Sequence, residues 1–160
     1  MGENKPNTVP DNVDRVIFMD VDGVLNDHRW CHIGGCQIKP ECVECFQHLI
    51  KQSQAKCVLI SSWRSKVKRG IVTLKGMEWM FKTHGLVIDL IDVLPPYENH
   101  DHNARSEAVM KWIESHKPKS YVVIDNADLT VPNFIKTHSG KGIEPHHVSR
   151  ALELLGIEKP

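Results

Sequence analysis

The 160-residue sequence contains no apolar run near the roughly 20 residues that a membrane-spanning helix requires. It also lacks an excess of either charge, because 20 Lys and Arg side chains balance 20 Asp and Glu side chains. A strongly basic nucleic-acid-binding protein would carry net positive charge, although zero net charge does not exclude a local basic patch. The polar N-terminus lacks the apolar segment of a secretory signal peptide. We therefore expect a cytoplasmic protein that does not associate with a membrane.

Cysteine is sparse and odd in number, at five residues, and aromatic residues make up only 6% of the chain. An odd count without an export signal favours reduced thiols over a disulfide framework. Hydrophobic residues reach 41% and charged residues 25%, which is an ordinary globular composition. This length suits one folded unit. We predict a flexible polar leader over residues 1–13 and a single domain over residues 14–160.

Short apolar runs alternate with amphipathic segments along the chain. The apolar runs predict buried strands at 15–19, 56–60, 86–94, 120–124 and 134–137. The amphipathic segments predict helices at 40–54, within 66–84, at 104–116 and at 145–155. Strands that alternate with helices indicate a mostly parallel sheet with helices on both faces. We therefore predict an α/β fold whose ligand site lies beyond the carboxyl ends of the strands.

Three of the predicted strands end in side chains that can perform chemistry. Asp20 and Asp22 follow the first strand, Ser61 follows the second, and Asp125 follows the fourth with Asp128 nearby. Each aspartate alone could instead cap a helix or close a turn. Carboxylates that converge at one sheet edge need a cation, and oxygen ligands favour Mg²⁺. One carboxylate there can attack a phosphate, and a second can transfer the proton.

Four segments, in order, resemble the motifs of the haloacid dehalogenase (HAD) superfamily. The segment 16–25 is an apolar strand followed by Asp-x-Asp-Gly, and 57–61 is an apolar strand that ends in serine. Arg105 precedes an amphipathic helix where the family usually has lysine, and 121–126 is a strand with an acidic end. The resemblance implies a three-layer Rossmannoid fold and a phosphatase. The segments between the motifs are too short for a large cap domain, which implies an open active site.

The resemblance also implies roles in catalysis and phosphate binding. Asp20 would be the nucleophile that takes the phosphoryl group. Asp22 would be the general acid and base, and this second aspartate marks the phosphatase branch of the family. Ser61 and Arg105 would bind the phosphoryl oxygens, and Gly23 would let the backbone approach the phosphate closely.

The metal site implied by the resemblance contains Mg²⁺. The cation would bind the carboxylate of Asp20, the backbone carbonyl of Asp22 and the carboxylate of Asp125. Asn126 stands where many family members have a second acidic residue. The remaining contact to the metal, direct or through water, would therefore come from Asn126 or Asp128.

The sequence leaves the phosphorylated substrate open. An open site is similar to that of family members that act on macromolecules, and segment 61–64 resembles small HAD domains of RNA-repair proteins. Arg64 and Lys66 could contact a polyanion, although such a run is also typical of a solvated helix face. We predict a phosphatase for a nucleotide or a polynucleotide end. A phosphatase for a small metabolite or a phosphoprotein is the alternative.

Two functions without turnover also stay open. Arg105 and Asn126 depart from the family pattern, so the chain could be a weakened module that binds phosphorylated partners. A receiver domain also phosphorylates an aspartate at a strand end, but its acidic pair precedes the strand with the acceptor. Nothing in the sequence indicates the oligomeric state.

Cysteine and histidine are concentrated between positions 28 and 45, with spacings compatible with a zinc site. Cys42 and Cys45, however, fall on the apolar side of a predicted helix. Free cysteine at such a position behaves as a small hydrophobic residue. Zinc binding by this cluster is therefore a minor alternative.

Overall fold

The computed structural model describes residues 13–27, 38–61, 70, 73–94 and 101–158. Its strands are β1 (Arg15–Met19), β2 (Lys56–Leu59), β3 (Leu90–Val93), β4 (Ser120–Asp125) and β5 (Phe134–Lys136). Its helices are α1 (Pro40–Ser53), α2 (Leu74–Thr83), α3 (His102–His116) and α4 (Pro145–Leu154). All neighbouring strands run parallel, in the order β3-β2-β1-β4-β5. The predicted α/β fold is confirmed.

The central strand β1 is buried on both faces because its side chains alternate between two cores. Ile17 and Met19 belong to a core that also contains side chains of α1, α2 and α4. Val16 and Phe18 belong to a second core with side chains of α3. A continuous apolar run is what a central parallel strand needs. The sheet therefore has helices on both faces, which gives the three predicted layers.

Local capping explains where the helices begin and end. Pro40 occupies the first turn of α1, where its missing N–H leaves no hydrogen bond unmade. Helix α3 begins two residues before the predicted start because the Asp101 side chain accepts the Ala104 N–H at 2.9 Å. Along the described parts of the chain, no helix is both long enough and apolar enough to cross a membrane.

Strand β3 is shorter than the segment 86–94 predicted from hydrophobicity, because its ladder with β2 covers only Leu90–Val93. Ahead of the strand, Val87 N–H donates to Gln47 Oε1 at 2.7 Å, and Gln47 Nε2 donates to the Val87 carbonyl at 3.1 Å. These bonds attach Val87 to α1 rather than to the sheet. The apolar run 86–94 is therefore longer than the strand that it contains.

The predicted boundary between leader and domain stays a prediction, because residues 1–12 lie outside the described residues. Val13, the last residue assigned to the leader, is buried in the core that contains α3. Val13 therefore packs with the domain rather than with a separate leader.

The strand order determines where a ligand site can form. Helices α1 and α2 pack on one face of the sheet and α3 on the other. From β1, the chain adds β2 and β3 on one side and then β4 and β5 on the other, so the strand order reverses between β1 and β4. Such a switch point opens a crevice at the carboxyl ends of the strands. Met19 pairs with both Leu59 and Ile124. The residues that follow β1, β2 and β4 are therefore level at this edge.

Two aromatic residues on α2 provide a test of this packing. Phe81 is fully buried, whereas Trp79 is 67% exposed. We expect Phe81→Ala to lower the free energy of unfolding by about 3–5 kcal/mol, because it leaves a cavity in the core. Trp79→Ala should change it by less than about 0.5 kcal/mol. Urea unfolding followed by circular dichroism measures both, and equal losses would contradict the packing of α2 against the sheet.

Candidate active site

Two carboxylates lie side by side at the ends of β1 and β4. The Asp20 N–H donates to the Ile124 carbonyl at 3.0 Å, which holds the end of β1 against β4. Asp20 is 5% exposed and Asp125 is fully buried. Arg105 Nη1 lies 2.6 Å from Asp125 Oδ2 and 3.7 Å from Asp20 Oδ2. One buried cation therefore faces two buried carboxylates, and it compensates only part of their charge.

Arg105 reaches this position because it is the fourth residue of α3, at the end of the first turn. Its own N–H donates to the Asp101 carbonyl at 3.1 Å within the capped N-terminus of the helix. The neighbouring Ser106 Oγ accepts the Thr130 N–H at 3.0 Å, which attaches the start of α3 to the segment after β4. The helix start and the end of β4 thus form one unit, and the guanidinium is buried between them.

Burial raises the pKa of Asp20 well above its usual range. The negative charge of Asp125 raises it further, and the positive charge of Arg105 opposes the rise. Among the residues that the structure describes, Arg105 is the cation that opposes this rise, and ionised Asp20 stays unfavourable beside it. An additional cation at this edge would stabilise the ionised form, which a nucleophile requires.

The loop after β1 is held by a fully buried asparagine, Asn26. Gly23 N–H donates to Asn26 Oδ1 at 2.9 Å, and Asn26 Nδ2 donates to Asp22 Oδ1 at 3.0 Å. Gly23 has a φ of +80°, and a Cβ there would lie 2.5 Å from the Asn126 side chain. Thr137 Oγ1 donates to the Gly23 carbonyl at 2.6 Å. Glycine is therefore required here by the turn and by its contact with Asn126.

Three oxygen atoms converge on the Asn126 amide beside this loop. One end of the amide lies 2.9 Å from Asp20 Oδ2, 3.1 Å from the Asp22 carbonyl oxygen and 3.2 Å from Asp125 Oδ1. The other end lies 3.1 Å from Ser139 Oγ. With its nitrogen towards the three oxygens, the amide donates to them and accepts from Ser139 Oγ. Turned over, it would present its oxygen to a cation held by the same group, and its nitrogen would donate to Ser139 Oγ.

The oxygens around this amide suit a hard cation by their chemistry. Asp20 and Asp125 contribute carboxylate oxygens and Asp22 a backbone carbonyl oxygen, and a turned Asn126 amide would add a neutral oxygen. Such an all-oxygen donor set is the kind that Mg²⁺ prefers.

Two other predicted site residues, Ser61 and Asp128, differ in burial. Ser61 is fully buried two residues beyond the end of β2, and the Ile60 N–H donates to the Met19 carbonyl at 2.9 Å, which keeps this end beside β1. Asp128 is exposed, and its Oδ1 accepts from Lys136 Nζ at 2.7 Å. That bond and the charge of Lys136 lower the pKa of Asp128. The structure thus places Asn126, rather than Asp128, against the other oxygens.

Two predictions fall largely outside the described residues. Arg64 and Lys66, the proposed polyanion contacts, lie there, as do the other Cys and His residues that precede Cys42 and Cys45 in the zinc cluster. Burial raises the pKa of both described thiols. A raised thiol pKa disfavours the thiolate that zinc needs.

Sequence reasoning missed three polar residues that support the site: Asn26, Thr137 and Ser139. Thr137 and Ser139 follow β5, which ends at the same sheet edge as β1 and β4. Their position at or just after the end of a predicted strand was the signal in the sequence that could have identified Thr137 and Ser139. Asn26 offers no comparable signal, because an asparagine shortly after an Asp-Gly pair is equally typical of an exposed turn.

Comparisons with known proteins identify similar chains. Residues 16–148 match the family described as HAD domain in Swiss Army Knife RNA repair proteins. A search of curated proteins found no significant match. Among solved structures, one similar chain is a candidate HAD-like phosphatase from Mesorhizobium loti, at 9% sequence identity and a TM-score of 0.49. That alignment covers 100% of this chain and 93% of the other.

The raised pKa of Asp20 predicts how stability depends on pH when no metal is present. The folded state holds this proton more tightly than the unfolded chain, so the contribution to stability is complete below the ordinary aspartate pKa. It is lost as the pH rises through the higher folded-state value. We therefore expect Asp20→Asn to raise the melting temperature at neutral pH by several degrees, and to flatten its pH dependence.

Thermal unfolding in EDTA between about pH 5 and about pH 8 measures this effect. Asp128→Asn is the matched control, because its carboxylate is exposed and bonded to Lys136. Lower stability of Asp20→Asn across the whole range would contradict the electrostatic conflict at Asp20.

Proposed function

Because this chain belongs to the family of HAD domains in Swiss Army Knife RNA repair proteins, we propose that it is a Mg²⁺-dependent phosphohydrolase. It would act through an aspartyl-phosphate intermediate on Asp20. The observation that carries the proposal is the convergence of two buried carboxylates, Asp20 and Asp125, and the Asp22 carbonyl around the Asn126 amide, next to the buried guanidinium of Arg105. Phosphoryl transfer needs this combination of positioned oxygens and positive charge.

In the proposed site, Mg²⁺ would be held by Asp20 Oδ2, the Asp22 carbonyl, Asp125 Oδ1 and Asn126 Oδ1. When bound, it would neutralise charge on the phosphoryl oxygens. This arrangement leaves Asp20 Oδ1 as the attacking atom. Asp20 Oδ1 accepts the Val21 N–H at 2.8 Å, which fixes the rotation of the carboxylate.

The reaction has two steps. In the first, Asp20 Oδ1 attacks phosphorus, the bond to the ester oxygen breaks, and Asp22 donates its proton to that leaving oxygen. In the second, Asp22 takes a proton from water, the water oxygen attacks phosphorus, and the bond between phosphorus and Asp20 breaks. Inorganic phosphate leaves, and both aspartates return to their starting states. Arg105 and Ser61 would bind the non-reacting phosphoryl oxygens, the former through its planar fork.

For the substrate, we propose a nucleotide or the phosphate at a polynucleotide end. The family to which the chain belongs, HAD domains in Swiss Army Knife RNA repair proteins, supports this class. The free thiols of Cys42, Cys45 and Cys57 support the cytoplasmic location that we propose. Small metabolites and phosphoproteins are the competing substrate classes.

Hydrolysis of p-nitrophenyl phosphate, with Mg²⁺ and with EDTA, tests the proposed chemistry. We expect turnover that needs Mg²⁺, is abolished in Asp20→Asn, and falls by about 10²–10⁴ in Asp22→Asn, which loses the general acid and base. Asp128→Asn should keep wild-type activity, because its carboxylate is exposed and paired with Lys136. Nucleotides, oligonucleotides phosphorylated at either end, sugar phosphates and phosphopeptides then rank the substrate classes.

Phosphate or oligonucleotide binding without turnover of any ester would contradict the proposal. That result would favour a module that binds phosphorylated partners. Turnover that persists in Asp20→Asn would contradict the aspartyl-phosphate intermediate while leaving a hydrolase in place.

Replacement of Asn126 by aspartate tests the metal ligands separately from turnover. Asn126→Asp adds a third carboxylate to the group, so it should lower the melting temperature of the metal-free protein. It should also tighten Mg²⁺ binding by about tenfold, because ligand charge strengthens divalent cation sites. Thermal unfolding in EDTA and isothermal titration calorimetry with Mg²⁺ measure the two effects. Unchanged Mg²⁺ affinity would contradict a metal contact by Asn126.

A further inference from the structure

The fully buried amide of Asn26 connects two parts of the loop after β1. Its oxygen accepts the Gly23 N–H and its nitrogen donates to Asp22 Oδ1, at 2.9 and 3.0 Å. We infer that Asn26 is a positioning residue that orients the Asp22 carboxylate for proton transfer to the leaving oxygen. This inference rests on the proposed function, because it assumes that Asp22 is the general acid.

Asn26 can orient its neighbour because its own backbone is fixed. It forms an isolated antiparallel bridge with Ile38, and the adjacent Lys39 N–H donates to the Leu25 carbonyl at 2.8 Å. Asp22, in contrast, lies three positions beyond the end of β1, outside the ladder of the sheet. The bridge beside α1 therefore supports Asn26, and Asn26 supports the side chain of Asp22.

The direction of this hydrogen bond has a chemical consequence. A protonated carboxyl group carries its hydrogen on one oxygen and accepts hydrogen bonds at the other. Because Asn26 Nδ2 donates to Asp22 Oδ1, the transferable proton belongs on Oδ2. A general acid must hold its proton within hydrogen-bond reach of the leaving oxygen. Asn26 therefore selects the oxygen that performs the transfer and fixes its direction.

Loss of this orientation should matter only when the leaving group needs a proton. Dinitrophenolate departs readily as an anion, whereas phenolate is much more basic and depends on the general acid. A series of 2,4-dinitrophenyl, p-nitrophenyl and phenyl phosphates varies this need while it keeps one aryl shape. For Asn26→Ala we expect kcat/KM to fall by at least about tenfold with phenyl phosphate, and by less than about threefold with dinitrophenyl phosphate.

Two further variants separate orientation from support of the loop. Asn26→Asp keeps an acceptor for the Gly23 N–H but replaces the donor to Asp22, so it should show the same dependence on the leaving group. Thr137→Val removes the 2.6 Å hydrogen bond to the Gly23 carbonyl without touching Asp22. It should lower kcat/KM equally across the series. Thermal unfolding confirms that each variant is folded.

The outcomes distinguish this inference from the proposed function. Equal losses across the series in both Asn26 variants would overturn the inference, because Asn26 would then only support the loop. Wild-type protein that hydrolyses none of the esters would overturn the proposed function first, and the role of Asn26 with it. A loss that grows with leaving-group basicity in both variants, but not in Thr137→Val, supports the inference.

Discussion

Repulsion between two buried carboxylates, Asp20 and Asp125, is the constraint around which this sheet edge is built. The parallel ladder between β1 and β4 forces them together, and Arg105 compensates only part of their charge. The hydrophobic strands behind them stabilise the fold sufficiently to tolerate this conflict. A bound divalent cation would resolve this repulsion, so in the proposed function the metal contributes to the energetics of the site as well as to its chemistry.

The residues around this pair limit how much negative charge collects there. Asn126 brings a neutral amide to the group, where an aspartate would add a third charge. Ser139 can serve the Asn126 amide in either orientation, because a hydroxyl both donates and accepts. The two departures from the family pattern, Arg105 and Asn126, therefore meet at the same two carboxylates. They are parts of one electrostatic arrangement rather than independent losses.

The proposed general acid, Asp22, is supported differently from the proposed nucleophile, Asp20. Asp20 directly continues a strand, so the sheet positions it. Asp22 lies on a loop and depends on Asn26, which depends in turn on the bridge to Ile38. The segment between Asn26 and Ile38 begins and ends at this bridge. Changes at either end of that segment would therefore act on proton transfer before they act on the nucleophile.

The hydrophobic pattern by itself determined the five parallel strands, the helices between them and the strand-end positions of Asp20, Ser61 and Asp125, because burial on both faces imposes continuous apolar runs. It overestimated the length of β3, since Gln47 of α1 binds Val87, which precedes that strand. Only the tertiary structure placed Asn126 rather than Asp128 among the oxygens, and only it showed Asn26 buried. Local sequence specifies periodicity and turns, whereas the partners of a polar side chain depend on which distant loops the sheet brings to the same edge.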